Sequence, residues 1–172
     1  MKRYIKCVDY ELDTAFNSDP NVRADEAHDT DDPDLLDIYA HDPSKLVRAE
    51  VARNKNTSVA TLVELAEDSS ARVLVLVANN INTPARLSID IFVKLARSED
   101  LTTRIGVVES RRAPAEALAI LGKDPRWDVR ESVATHKNTD LATLELLCHD
   151  KDHDVARLAR IAKYNREHEG LA

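Results

Sequence analysis

Glycine, proline and aromatic side chains are all scarce in this chain. Among 172 residues there are 3 glycines and 6 prolines, and aromatics make up 4%. Strand-rich folds draw on aromatic residues and on glycine and proline turns, so this composition disfavours hairpins and suits packed helices. Three glycines could hardly build a phosphate-cradling loop, and no glycine-rich fingerprint is present. Cysteine is as sparse: Cys7 and Cys148 lie near opposite ends, which makes no disulfide framework. No N-terminal apolar stretch reads as a signal peptide, and no apolar run approaches a membrane span. The expectation is a reduced, cytoplasmic protein with no membrane contact.

Charge is abundant but uneven. Charged residues form 32% of the chain and the net charge is −7. Residues 1–85 carry 9 basic and 16 acidic side chains, whereas residues 86–172 carry 15 of each. The acid excess is densest in "DEAHDTDDPD" at 25–34. Such a balance speaks against broad binding to a phosphate backbone, although a local basic strip remains compatible with it. The length suits one domain, large enough to bury a core without disulfides or metals.

What is present is a repeat. "DPSKLVRAEVARNKNT" at 42–57 and "DPRWDVRESVATHKNT" at 124–139 agree at nine of sixteen positions. The leading aspartate recurs as Asp42, Asp68, Asp124 and Asp150, with Ser98 in the remaining slot. The steps give five units at a period of 26, one lengthened by four residues within "PARLSIDI" at 84–91. Apolar positions recur in step: Leu36, Leu62, Phe92, Leu118 and Leu144, then Val51, Val77, Val107 and Val133.

Each unit reads as two short helices. The first begins after "NT" (Asn56-Thr57, Asn82-Thr83, Asn138-Thr139), where Asn and Thr suit N-caps and Pro84 and Pro114 suit the first helical position. The second carries "VRxxVA", with apolar residues four apart on one face. Neither helix buries its face alone, whereas stacked units share a continuous core. The spacing places a degenerate helical cap and acidic linker over 1–33, with Ile5, Val8, Leu12 and Phe16 on one face. A solenoid follows over 34–164, and a C-terminal tail over 165–172.

The pattern "VRxxVAxNxxT…LxxLxxDxxxxVR" resembles the leucine-rich repeat variant family, and more widely the HEAT and armadillo helical repeats. Its residues here are Val47-Arg48, Val51-Ala52, Asn54, Asn56-Thr57, Leu62, Leu65-Ala66 and Asp68, with echoes over 129–150. The resemblance covers roughly residues 34–162 and implies an all-α, right-handed α-α superhelix of about five two-helix repeats. It also implies that the second-helix row faces the inside of the curve. Some members carry an N-terminal cysteine cluster for iron–sulfur. A lone Cys7 cannot hold one, so that part is not carried over.

Candidate sites are few. The row Arg48, Arg104 and Arg130, interrupted by Leu74 and Ala156, reads as an Asp–Arg ladder between neighbouring loops, or else as an anion clamp. "HDKDHD" at 149–154 resembles a metal cluster in composition, yet Asp150 is the repeat's own aspartate, so no metal is expected. No nucleophile or acid–base constellation stands out, so neither catalysis nor a cofactor is expected. The middle of the repeat breaks register at Ser98 and Arg111-Arg112, beside the apolar helix "RVLVLVA" at 72–78. We therefore expect a non-catalytic scaffold, monomeric, binding another protein. Leu74, Val75, Leu76 and Ile105 would supply apolar burial, or else form a deeply buried helix. Trp127 would anchor the partner, and Arg104, Arg111, Arg112 and Arg130 would orient an acidic group. The rival expectation is nucleic-acid binding, by analogy with HEAT-like DNA glycosylases, through an arginine strip that adds Arg126. A small-molecule or lyase role has no motif behind it.

Overall fold

Seven- and nine-residue helices are too short to hold together in water, because helix nucleation costs more than one or two turns return. They persist here because each lies against its neighbours. The computed structural model describes residues 17–168, which hold eleven α-helices and no strand. The stretch carrying Cys7, Ile5, Val8, Leu12 and Phe16 lies outside the described residues. Helix α1 spans Pro20–Asp29. Five helical pairs follow: α2 (Pro33–Tyr39) with α3 (Lys45–Arg53), α4 (Val59–Leu65) with α5 (Ala71–Asn79), α6 (Ala85–Ala96) with α7 (Leu101–Glu109), α8 (Ala115–Leu121) with α9 (Trp127–Thr135), and α10 (Leu141–Leu147) with α11 (His153–His168). The protein is an all-α solenoid. Helix α11 runs unbroken through residue 165 to His168.

The core is the repeat's own apolar register. Leu36, Leu62, Phe92, Leu118 and Leu144 have no exposed surface, and neither do Val51, Val77, Val107 and Val133. Burying each such side chain contributes about 1.5–3 kcal/mol. The second helices of successive units pack on one another, α1 on α3, α3 on α5 and α9 on α11. The exception is in the middle. There α5 and α7 meet only thinly, while α6 packs closely on both α5 and α8. The four extra residues explain this, since α6 has 12 residues where the other first helices have seven. The hydroxyl of Ser88, on its added turn, donates to Ala78 O at the end of α5 (2.8 Å).

The "NT" residues act differently from the expectation. The N-caps lie one residue further on, at Ser58, Pro84, Pro114 and Asp140. The buried threonines instead serve the preceding helix. Thr57, Thr83 and Thr139 donate Oγ1–H to Val51 O, Val77 O and Val133 O at 2.6, 2.5 and 2.6 Å. Each thus gives a second hydrogen bond to a carbonyl at the end of the second helix, which also accepts the backbone N–H of Asn54, Asn80 or His136. The asparagines tie unit to unit: Asn82 donates to Lys55 O and Thr57 O, and Asn138 to Arg111 O and Ala113 O.

Candidate functional site

The arginine row forms a ladder. Arg130 donates Nε–H to Asp150 Oδ2 (2.7 Å) and Nη2–H to Oδ1 (2.8 Å), and Nη1–H to the carbonyls of Asp124 and Pro125 in its own loop. Arg48 makes the same bonds to Asp68, Asp42 O and Pro43 O, and Arg104 to Asp124, Ser98 O and Glu99 O. Each aspartate also accepts a backbone N–H two residues on, from Ser44, Ser70, Arg126 or Asp152. One guanidinium therefore links its own loop to the next loop, nearly out of water. The Arg130 hydrogen bonds hold the Asp150 carboxyl below its usual range. Burial pushes Asp42 and Asp68 the other way, but the guanidinium and backbone N–H bonds outweigh it and both end up low.

The ladder has an extra rung that the register count did not include. Arg23 of α1 donates Nε–H to Asp42 Oδ2 at 2.7 Å. The signal was legible: "DPNVRADEA" at 19–27 is the ladder stretch with two residues missing. The ladder also lacks a rung. In the α5 unit the arginine position is Leu74, and its aspartate position is Ser98. Both partners are replaced together, so no unpaired buried charge remains. Ser98 keeps only the loop bond, accepting Asp100 N–H at 3.2 Å.

Beside the missing rung a groove of about 800 Å³ runs across α3, α5 and α7. Its apolar floor includes Val75 and Leu76 of α5 and Gly106 of α7. Lys45, Arg53 and Arg72 stand exposed on its walls. A methyl added at Gly106 would lie 3.9 Å from Val75 Cγ2, so the two helices approach here with room to spare.

The candidates chosen from sequence fall in different places. Val75 and Leu76 line the groove, but Leu74 is core, only 5% exposed. Ile105 turns to the other side of α7, into a smaller cleft with Glu109 and Asp128. Arg104 and Arg130 are engaged in the ladder. Arg112 donates Nη1–H to Asn79 O and Asn80 O, which closes the end of α5. Asn54 and Asn80 do the same for the unit before each; Ser110 is too short, so Arg112 reaches from two residues on. Arg111 is exposed. Trp127 is 52% exposed at the start of α9, in a separate cleft with Arg126, Arg130 and Lys151. Arg126 pairs with Asp128 at 2.6 Å. The proposed arginine strip is thus largely engaged within the molecule. Sequence reasoning missed Lys45, Arg53 and Arg72, because Arg72 comes from a different unit than Lys45 and Arg53.

Among the described residues no three His, Cys, Asp or Glu side chains converge as metal ligands. His149 Nδ1 lies 3.1 Å from Glu145 O, and Cys148 is buried, with its thiol pushed up by desolvation. No described helix is long and apolar enough to cross a membrane.

No curated protein and no solved structure matches the chain. Residues 127–152, which carry α9, α10 and the complete Arg130–Asp150 rung, match the family model described as leucine rich repeat variant.

Proposed function

We propose that this helical-repeat protein is a non-catalytic interaction scaffold. It binds a segment of another protein in the groove across α3, α5 and α7. The observation that carries this reading is the coincidence of groove and missing rung. Elsewhere in the row an arginine and an aspartate tie neighbouring second-helix loops together. Here Leu74 and Ser98 leave that tie out, α6 is lengthened, and half-buried Val75 and Leu76 lie open. Partly exposed aliphatic side chains in a concave site, rimmed by polar groups, are what a peptide-binding groove presents. Rigid neighbours favour binding, because stacked units lose little conformational freedom when a partner docks.

The test is affinity capture by the full chain from source-cell extract, with and without nuclease. Wild type would be compared with Leu76→Glu and with Ile161→Glu, an exposed site on α11 far from the groove along the chain. The expected result is a protein partner that survives nuclease, is lost with Leu76→Glu and is kept with Ile161→Glu. Circular dichroism confirms that both variants keep the wild-type helix content. A partner set that disappears with nuclease, or that ignores Leu76→Glu, would overturn the reading.

A further inference from the structure

The groove's electrostatics run against the rest of the molecule. The chain carries −7 overall, yet the groove is lined by Lys45, Arg48, Arg53 and Arg72 and by one acid, Asp100. That acid is occupied: its Oδ2 accepts Thr103 N–H and Oγ1–H at 2.8 and 2.7 Å. Arg48 is neutralised by Asp68. Arg53 pairs only with Glu50, at 3.3 Å, and its own side chain stays half exposed. Lys45 and Arg72 have no ion-pair partner among the described residues. They sit in the first turns of α3 and α5, where the helix dipole adds to their positive charge. Two cations without an ion-pair partner and two dipole ends therefore face one cavity, whose single carboxylate, Asp100, is turned to the cap of α7.

The positive field is short. On the α1 side the next cleft carries Asp25 and Glu50 beside His28 and Arg53, and on the α9 side the next carries Glu109 and Asp128. A continuous polyanion would gain in the groove but meet carboxylates on either side of it. An apolar floor of Val75, Leu76 and Gly106 offers a phosphate backbone nothing either. These features fit one kind of occupant.

The geometry points to a short acidic segment of a partner protein, its carboxylates against Lys45, Arg53 and Arg72 and one apolar side chain on Val75, Leu76 and Gly106. This inference rests on the interaction reading above and names its ligand chemistry. The residues flanking the acidic cluster are neutral or basic, to suit the acid-bearing clefts on either side.

The test is panning of a displayed random-peptide library on the full-length protein. Enriched peptides are then synthesised with a fluorophore, and binding is followed by anisotropy across a salt series. The double variant Lys45→Glu/Arg72→Glu changes only exposed side chains, and its thermal unfolding reports whether the fold is kept. Arg86→Glu, exposed on α6 and outside the groove, is the control. The expected result is enrichment of peptides with clustered Asp or Glu beside an aliphatic or aromatic residue. Their affinity should fall about tenfold or more in the double variant, where two favourable pairs become repulsive. It should be unchanged in Arg86→Glu, and partly restored when the peptide's acids become lysines. Groove-bound peptides with no acidic bias, or affinity indifferent to charge reversal, would overturn the inference and leave the interaction reading standing. Failure to enrich any peptide, with a labelled oligonucleotide bound instead, would overturn both. A dimer in sedimentation that dissociates in the double variant would identify a second copy as occupant and overturn the choice of another protein.

Discussion

Leu74 and Ser98 occupy the two positions that Arg130 and Asp150 fill in the matching unit, so the chain itself contains both a complete rung and its apolar replacement. A buried ion pair costs desolvation that its own attraction only partly returns, but removing one partner strands the other. Arg130→Leu alone leaves the Asp150 carboxylate, 8% exposed, with no guanidinium. The expected cost is about 3–5 kcal/mol in urea unfolding. Adding Asp150→Ser reproduces the natural gap and should recover at least about 1 kcal/mol of that loss. The double variant stays below wild type, because the Asp124 and Pro125 carbonyls lose their Nη1 donor. If the two substitutions simply added, the carboxylate would not depend on its guanidinium.

Gly106 sits inside α7, where a helix ordinarily disfavours glycine, and the nearest atom to an added methyl is Val75 Cγ2 at 3.9 Å. Gly106→Ala should stabilise the protein by about 0.5–1 kcal/mol, since the chain gives up less backbone entropy on folding. The same methyl fills part of the groove floor. Thermal unfolding should move up while peptide affinity falls. A destabilised variant would mean that α5 and α7 lie closer together than the 3.9 Å gap.

The threonine that ends each second helix has no spare bond. Thr139 has no exposed surface and donates Oγ1–H to Val133 O at 2.6 Å. Thr139→Val keeps the shape and removes this donor, leaving Val133 O with the His136 N–H alone, at 3.1 Å. The expected loss is about 0.5–1.5 kcal/mol, and Thr139→Ser should restore much of it. Equal stability of the Val and Ser variants would mean that the His136 N–H alone satisfies Val133 O.

These cases show what the sequence made legible. The period, the all-helical pairs and the Asp–Arg ladder follow from residues recurring in step, because a packing requirement repeated in space repeats along the chain. The threonines were placed correctly and assigned to the wrong helix, since one residue separates an N-cap from a cap on the preceding helix. In "RVLVLVA" every residue after Arg72 is apolar, so hydropathy alone could not separate core Leu74 from groove-lining Val75 and Leu76. The basic wall was not legible, since Lys45, Arg53 and Arg72 converge only when α3 and α5 stack.

His136 stands where the earlier units place Asn54 and Asn80, and it keeps two of the three bonds that Asn80 makes, one donated to the preceding unit and one accepted two residues on. The Nε2–H donates to Ser110 O at 3.0 Å, and Nδ1 accepts Asn138 N–H at 3.1 Å. A carbonyl on one side and an N–H on the other require the neutral ring with its proton on Nε2. Desolvation lowers its pKa from the ordinary 6.5, against the upward pull of the Ser110 bond, and Lys137 and Arg166 lower it further. A histidine with a lowered folded pKa binds fewer protons folded than unfolded, so stability rises with pH through this window. Its contribution is complete above about pH 6.5 and is lost as the pH falls below that value towards the folded pKa. The residue used by the neighbouring units supplies the comparison. His136→Asn should match wild type near pH 8, and should lose less stability than wild type between pH 7 and pH 5. Denaturant unfolding at several pH values measures both. Every other residue is common to both proteins, so the difference between the two curves isolates this one. Parallel curves would mean that the imidazole accepts its second proton without giving up the Asn138 bond.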